Sequence, residues 1–279
     1  AKREAACRTE LALNRRTAPD LYLGVVPVFA AGEGFAFEGA GSPVEWLVRM
    51  RRFDEACRFD RLLRAGHLTP DLMERLADRI AAFHAAAEVS RSGGGQALIA
   101  QVLKENAGDL AAKPAVIPPA LAAALAEASE TALLLLGSLL EARRAAGWVR
   151  RCHGDLHLAN IVLWQGEPTL YDCIEFNESF ITIDLFYDLA FLLMDLDRFG
   201  RRDLANLVLN RWLVDPVQLP GLALLPLLLS VRAAVRAKVT AMAADAAAPE
   251  RRDALVAEAR DYAERAFAYL SPPPPRLVA

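Results

Sequence analysis

The sequence predicts an α+β fold, with a small antiparallel sheet near the N-terminus and a larger, mainly helical remainder. Three observations predict it. The 279 residues are 54% hydrophobic and carry a formal net charge of -3, a composition that supports a packed core and excludes a mainly disordered chain. Three short strand-like runs, separated by glycine-rich turns, lie within the first 50 residues. Beyond residue 68 apolar residues recur at helical spacing.

The predicted N-terminal elements are one helix and three strands. The helical pattern runs to about Arg16, and Pro19 marks its end. The strands are expected at residues 21–28, 34–38 and 44–50. Residues 32–39, GEGFAFEG, imitate a phosphate-binding loop. A hairpin turn is the favoured interpretation, because a lone glycine-rich string is a weak motif.

The remaining elements are mostly helices. Thr69 and Pro70 form a helix start, because threonine caps and proline fits the first turn. A long Ala/Leu helix follows from about residue 120 to 146. Two short strands, at 161–164 and 169–172, flank a four-residue turn and should pair as a hairpin. The chain ends in a proline run that we expect to be a linker to a further domain.

Charge and cysteine usage narrow the classes of function. The 32 basic and 35 acidic residues nearly cancel, so no nucleic-acid partner is expected. The four cysteines form no CxxC pair, which favours a reduced, intracellular protein. There is no signal-peptide pattern, and the apolar run at 219–230 falls short of the roughly 20 residues that a membrane helix needs. We therefore expect a cytoplasmic protein with no membrane partner.

Polar side chains of catalytic type concentrate in residues 151–196. In the simplest register of the predicted hairpin, Ile161 faces Asp172, so Asn160 and Asp172 lie side by side with Asp155 nearby. Such oxygen ligands suit Mg²⁺, which proteins bind through few ligands together with substrate phosphates. A carboxylate five residues before the asparagine could accept the proton of an attacking hydroxyl, as phosphoryl transfer requires.

The segment HGDLHLAN (residues 153–160), followed by Asp172, resembles the catalytic loop and metal aspartate of aminoglycoside phosphotransferases and choline kinases, which are relatives of protein kinases. The stretches APDLYLGVVPV, VEWLVRMRRF, IEFNES and YDLAFLLMDL resemble a predicted-kinase subgroup that is often fused to a C-terminal P-loop ATPase domain. The resemblance implies a two-lobed protein-kinase-like fold. Its parts would be a small, N-terminally incomplete antiparallel-sheet lobe (1–52), a helical C-lobe with the catalytic loop (53–270) and a Pro-rich linker (271–279).

The resemblance also implies roles for residues of the loop. Asp155 would be the catalytic base, and His153 a structural member of the loop. Asn160 and Asp172 would hold Mg²⁺, and Asp188 would brace the loop from a helix. The reaction would move the γ-phosphoryl of ATP, or alternatively of GTP, to a hydroxyl of a small molecule.

Nucleotide-binding residues follow from the same resemblance. Glu10 matches the helix glutamate that pairs with a phosphate-binding lysine, and the backbone from Met50 to Arg52 would meet the adenine. The sequence departs from the family here, because a Gly-rich loop and a strand lysine should precede this helix. No lysine occurs between Lys2 and Lys104. We expect that the first strands are missing from this chain, which could make it inactive alone.

Two other functions compete with the kinase. One is a catalytically inactive, nucleotide-binding regulatory domain of a larger protein. The other is a metallohydrolase with zinc or iron on the HxDxH residues His153, Asp155 and His157. The kinase is favoured over the hydrolase, because it also explains Asn160 and Asp172.

The nature of the acceptor stays open. An acidic run could attract a cationic substrate, or it could be an exposed or salt-bridged helix face; it comprises Asp184, Asp188, Asp195 and Asp197. Arg232, Arg236 and Lys238 could hold an anion or pair with those acids.

Overall fold

The computed structural model describes residues 2–39, 41–213 and 215–271. The helices among them are α1 (Lys2–Asn14), α2 (Phe59–Arg64), α3 (Pro70–Ala86), α4 (Gly95–Ala111), α5 (Pro119–Ala145), α6 (Glu178–Ile181), α7 (Leu185–Arg198), α8 (Arg202–Trp212), α9 (Leu225–Ala246) and α10 (Pro249–Leu270). The strands are β1 (Tyr22–Ala31), β2 (Gly34–Ala36), β3 (Glu45–Met50), β4 (Val149–Arg151), β5 (Ile161–Trp164), β6 (Glu167–Leu170) and β7 (Thr182–Asp184). The predicted α+β architecture is confirmed. The predicted linker, from Pro272 onward, lies outside the described residues.

The chain divides into two compact units. The first unit comprises Ala1–Ala87, Cys152–Ile181 and Leu207–Trp212, and the second comprises Glu88–Arg151, Thr182–Asn206 and Leu213–Ala279. The lobe boundary predicted after residue 52 coincides with none of these divisions and stays a prediction.

The N-terminal sheet of the first unit has the strand order β2-β1-β3, with both pairs antiparallel. The glycine-rich segment GEGFAFEG is part of a hairpin, as predicted, because Ala31 pairs with Gly34 across a two-residue turn. Leu21 and Tyr22 are buried and pack with Val48 and Met50 of β3. Helix α1 packs against β3, so the helix and the sheet share one apolar cluster.

The second hairpin of the first unit pairs β5 with β6, but its register differs from the prediction. Trp164 pairs with Glu167 and Ile161 with Leu170, so the turn has two residues rather than four. Gln165 and Gly166 both have positive φ, 52° and 83°, as a type I′ turn requires, and this turn matches the twist of paired strands. The predicted pairing of Ile161 with Asp172 is therefore wrong. Asp172 lies two residues beyond the end of β6.

Helices α4, α5, α7, α9 and α10 contribute to the core of the second unit. Small residues let α9 and α10 approach closely, since Ala237 and Ala241 pack in the same cluster as Ala259 and Ala263. The helix predicted at about 120–146 is α5, Pro119–Ala145. Helix α3 of the first unit begins as predicted, where the Thr69 side chain accepts from the Leu72 N–H.

Two helical segments, Pro119–Ala145 and Pro216–Ala246, are long and apolar enough to cross a membrane on length and composition alone. The apolar run at 219–230 is part of the second segment, and isolated charged residues interrupt both segments. Core helices of soluble proteins pass the same test, and 56% of the second segment's most apolar window is buried inside the protein. The expected absence of a membrane partner stays a prediction.

Candidate active site

The predicted catalytic loop lies in the first unit and leads into β5. It is anchored by apolar side chains, because Leu156 and Leu158 are fully buried. Gly154 has φ +86°, and a Cβ atom there would lie 2.8 Å from the carbonyl oxygen of Phe180. Only glycine fits this close, left-handed position without strain. The glycine of HGD is thus explained by the packing of the loop against the segment that ends at Ile181.

Asp155 and Asn160 are in direct contact. The Asn160 side chain donates from Nδ2 to Asp155 Oδ2 at 2.8 Å and to the Asp155 backbone oxygen at 3.1 Å. A short 3₁₀ turn, Leu158–Asn160, brings the amide back over the aspartate. Asn160 is buried, whereas the Asp155 side chain keeps 33% of its surface exposed. The carboxylate is therefore held on one side and accessible on another.

His157 supports the same carboxylate. Its Nδ1 accepts from the Ala159 N–H at 3.2 Å, and its Nε2 lies 3.3 Å from Asp155 Oδ2. Because Nδ1 is an acceptor, the proton of a neutral His157 is on Nε2, which faces the carboxylate. Asp155 thus receives donors from two residues of its own loop.

His153 links the loop to the second hairpin. It is fully buried, and its Nε2 lies 3.0 Å from the Tyr171 carbonyl oxygen. A carbonyl only accepts, so Nε2 carries the proton. The Ile174 N–H donates back to the His153 carbonyl oxygen at 3.2 Å. These contacts suit the structural role predicted for His153.

Asp172 follows β6 in a left-handed conformation, with φ +63°. Its N–H donates to the Tyr22 hydroxyl at 3.2 Å, and the Cys173 N–H donates to Asn14 Oδ1 at 2.8 Å. The Tyr171 N–H donates to the Asn160 carbonyl oxygen at 3.0 Å. The structure thus brings the strand end before Asp172 against Asn160, although by a different register from the one predicted.

Glu10 shares an acidic environment with Asp172. Burial raises the pKa of the Glu10 carboxyl, and the nearby carboxylates of Glu175 and Asp172 raise it further. Glu175 belongs to the IEFNES stretch, but its place beside Glu10 had no signal in the sequence. Tyr22 and Asn14 also had no sequence signal beyond being polar groups in apolar surroundings.

Met50 and Arg52 lie at the end of β3. Met50 pairs with Tyr22 and packs against the apolar cluster that includes Val162 of β5. The Arg51 N–H donates to the Leu21 carbonyl oxygen at 2.8 Å, and Arg52 is exposed. The backbone predicted to bind adenine therefore begins at the end of β3. It lies beside the apolar cluster that also contains Val162 of the second hairpin.

The donor atoms at this site suit a hard cation. Asp155 and Asn160 offer oxygens on the loop, and Asp172 offers a carboxylate close to those of Glu10 and Glu175; oxygens of this kind are the ligands that Mg²⁺ prefers. The HxDxH alternative has less support, because both ring nitrogens of His157 are engaged inside the loop.

The acidic run lies in the second unit, and its members are not an open acidic face. Asp184 forms a buried two-bond pair with Arg143, and Asp188 and Asp195 are also buried. Asp197 pairs with Arg202 at 2.9 Å. The salt-bridged interpretation is thus confirmed for Asp184 and Asp197, and an exposed acidic face is wrong. The bracing role of Asp188 stays a prediction.

The three basic residues of α9 differ in their surroundings. The buried Arg232 donates from Nε to the Tyr187 carbonyl oxygen at 3.0 Å, and its guanidinium lies over the Tyr187 ring. Arg236 lies over the Tyr262 ring, and Lys238 pairs with Asp109 at 3.2 Å. For Lys238 the predicted pairing with the acidic run is therefore wrong, because α4 supplies its carboxylate.

Comparisons with known proteins show which sequences and structures the chain is similar to. No protein-family model matches the chain. The chain is 29% identical over 253 residues to the uncharacterized protein Rv2004c of Mycobacterium tuberculosis and, equally, to the uncharacterized protein Mb2027c of Mycobacterium bovis. Each match covers 89% of this chain and 49% of the relative. The chain thus spans about half the length of the curated relatives it matches.

A solved structure resembles the chain more closely in fold than in sequence. A glucosamine kinase (crystal form B) aligns with 92% of this chain and 68% of its own, at a TM-score of 0.53 and 18% identity. This likeness shows the fold, which is the α+β, two-lobed kinase-like fold that the HGDLHLAN segment implied.

Proposed function

We propose that this chain is the phosphotransferase domain of a small-molecule kinase, of the aminoglycoside phosphotransferase and choline kinase type. It would move the γ-phosphoryl of MgATP to a hydroxyl of a small molecule. The observation that carries the proposal is the contact of Asn160 with Asp155 at 2.8 Å, on a loop whose neighbouring strand leads to Asp172. This grouping matches the division of labour in kinase active sites.

Asp155 is the proposed base. The hydroxyl oxygen of the acceptor bonds to the γ-phosphorus while the bond from that phosphorus to the leaving ADP oxygen breaks, and the hydroxyl proton passes to the Asp155 carboxylate. Asn160 Nδ2 and His157 Nε2 both face Oδ2 of this carboxylate. They hold its orientation, so that the acceptor meets a positioned base rather than a rotating one.

Asn160 and Asp172 are the proposed Mg²⁺ ligands. Asn160 turns its nitrogen toward Asp155, so its oxygen, the ligating end, is the part that remains for a cation. The carboxylates of Glu10 and Glu175 add negative charge beside Asp172. The ion, when bound, would neutralise charge on the nucleotide phosphates.

The nucleotide base would lie against the backbone from Met50 to Arg52, beside the apolar cluster of Leu21, Tyr22 and Val162. ATP is the proposed donor, with GTP as the alternative. The relatives are about twice as long as the matched region, and we propose that a fused C-terminal domain, a P-loop ATPase by resemblance, belongs to the full-length protein. We also propose that the protein is cytoplasmic.

A regulatory domain without catalysis is the rival. The observation that bears on it is the environment of Glu10, whose carboxyl meets the carboxylates of Asp172 and Glu175. A kinase of this type would pair that glutamate with lysine. The rival binds nucleotide and does not transfer phosphate.

The first test is thermal unfolding of the full-length protein with MgATP and, in parallel, MgGTP. A ligand at 100 times its dissociation constant should stabilise the folded state by about 2.7 kcal/mol. We expect a Mg²⁺-dependent rise in the midpoint that Asp172→Ala abolishes. Asp71→Asn, an exposed aspartate of the same unit, is the matched control and should keep the rise. No rise with either nucleotide would overturn the proposal.

A measurement of phosphate transfer distinguishes the kinase from a regulatory domain that only binds nucleotide. Phosphate transfer is measured on a panel of amino sugars and choline, for the natural protein and for Asp155→Asn. Transfer that is lost in Asp155→Asn, while the midpoint rise is kept, supports the kinase. A rise without transfer to any member of the panel, and without ATP hydrolysis, supports the regulator.

A further inference from the structure

We propose that Asn14 and Tyr22 are positioning residues that hold Asp172 in its left-handed conformation and thereby set the Mg²⁺ affinity of the nucleotide site. The inference rests on the proposed function of Asp172. It concerns two residues that belong neither to the loop at 153–160 nor to the segment that carries Asp172. Both residues lie in the first unit.

Asp172 needs such support because of its backbone. Its φ of +63° lies in the left-handed region, where a residue with a Cβ atom is disfavoured. Asp172 is exposed, so packing of its own side chain does not impose this conformation. Contacts of the backbone on either side must stabilise it instead.

Four consecutive N–H groups, from Tyr171 to Ile174, all have acceptors. The first and the last donate to carbonyl oxygens of Asn160 and His153, at 3.0 and 3.2 Å. The two between them donate to side chains: that of Asp172 to the Tyr22 hydroxyl at 3.2 Å, and that of Cys173 to Asn14 Oδ1 at 2.8 Å. The outer bonds join the segment to the loop, and the inner bonds join it to β1 and α1.

The burial and the hydrogen bonding of Asn14 favour this contact. It is fully buried, at the last position of α1, and its Nδ2 donates to the Glu10 carbonyl oxygen at 3.0 Å. That bond orients the amide, so that Oδ1 faces the Cys173 N–H. An apolar side chain would suit a buried helix position better, because asparagine is a poor helix former and a buried amide costs free energy unless it is bonded.

Tyr22 makes the second contact from β1. It is 1% exposed, so its ring is fixed by packing, and its hydroxyl oxygen accepts from the Asp172 N–H at 3.2 Å. Since Glu10 lies one turn before Asn14 on α1, the same helix places both an acidic side chain near Asp172 and the amide that orients the segment.

The test is a Mg²⁺ titration of ATP binding by the full-length protein, followed by the thermal midpoint. Tyr22→Phe removes one acceptor and nearly preserves volume, whereas Asn14→Leu keeps the number of side-chain heavy atoms but removes the acceptor for Cys173 and the donor to the Glu10 carbonyl oxygen. We expect each to raise the Mg²⁺ concentration at half-effect by about fivefold, the effect of one net hydrogen bond of ordinary strength. A merely structural role would lower the midpoint without ligand and leave the Mg²⁺ dependence unchanged.

Matched controls are a buried asparagine and a buried tyrosine of the second unit, in the variants Asn106→Leu and Tyr262→Phe. Both should keep the natural Mg²⁺ dependence. If Asn14→Leu does not fold, Tyr22→Phe, which loses only one oxygen, carries the test.

Asp172→Asn separates this inference from the proposed function. If Asp172→Asn binds MgATP like the natural protein, the proposed function itself fails. If Asp172→Asn loses the Mg²⁺ dependence while Tyr22→Phe and Asn14→Leu titrate like the natural protein, only the positioning role is overturned.

Discussion

The substitution Asp184→Ala tests whether an aspartate of the acidic run serves substrate or structure. In the structure Asp184 accepts from Arg143 at 2.7 and 3.0 Å, and both side chains are about 95% buried. Its Oδ1 also accepts from the Phe186 N–H at 2.8 Å and so caps α7. The carboxylate therefore supports a buried cation and a helix start together.

The expected loss of stability follows from the charge of Arg143, which stays buried when its partner Asp184 is removed. Removing one partner of a buried ion pair costs about 3–5 kcal/mol, because the other charge stays buried and uncompensated. Loss of the N-cap adds about 1 kcal/mol. Arg143 has little space to move, since even a Cβ atom at Gly221 would lie 2.5 Å from its NH1. We expect Asp184→Ala to lower the free energy of unfolding by about 4–6 kcal/mol in total.

Urea unfolding of the full-length protein, followed by circular dichroism, measures this loss. Asp203→Ala is the control, because the Arg201–Asp203 pair is solvent-exposed and such pairs contribute about 0–1 kcal/mol. A loss below about 1 kcal/mol for Asp184→Ala would refute the reasoning from buried charge. A cationic-substrate role would predict the opposite pattern, with unchanged stability and a raised KM.

Three further predictions concern the loop and the helices. Gly154→Ala should lower the free energy of unfolding by about 1–3 kcal/mol, since its φ is +86° and the new Cβ would meet the Phe180 carbonyl at 2.8 Å; thermal unfolding measures it. Asp155→Asn should reduce phosphate transfer by at least about 100-fold with the unfolding midpoint unchanged. The hydrogen bond from Arg144 and then the Gln96 N–H lower the pKa of Glu141, so Glu141→Gln should destabilise at pH 7 and match the natural protein in acid.

The sign of the pH prediction follows from linkage. A carboxyl whose pKa is lower in the folded state stabilises above its unfolded value, here 4.5, and this contribution disappears as the pH falls through the folded pKa. The measurement is urea unfolding at pH 7 and below pH 4. A constant difference between Glu141→Gln and the natural protein across this range would contradict the prediction.

Gly166→Ala, in an open turn, is the control for Gly154→Ala and tests strain without a clash.

Local structure could be predicted well where short-range chemistry decides it. Thr69 followed by Pro70 starts α3, and the glycines after β1 mark a hairpin. The second hairpin was also predicted, but with the wrong register. The positive φ that Gln165 adopts beside Gly166 shortens the turn by two residues, and glutamine gives no strong signal for that conformation.

The candidate site also has some contacts that local sequence predicts and others that it does not. Asp155 and Asn160 could be grouped from sequence, because five residues separate them and the Leu158–Asn160 turn closes the distance. The acidic run showed the limit of this approach. Charge alone does not distinguish a substrate-binding carboxylate from one that is buried against Arg143, 41 residues away in the chain.

The sequence by itself determined the α+β class, the first helix and the three strands after it, because these depend on periodicity, caps and turns within a few positions; the resemblance of HGDLHLAN indicated the residues of the candidate loop. Only the tertiary structure decided what surrounds Asp172. Its left-handed backbone is bonded to Tyr22, 150 residues earlier, and the next N–H to Asn14, 159 residues earlier. Such contacts form when separate elements pack, and the identity of a buried amide or hydroxyl does not reveal which distant N–H it will accept.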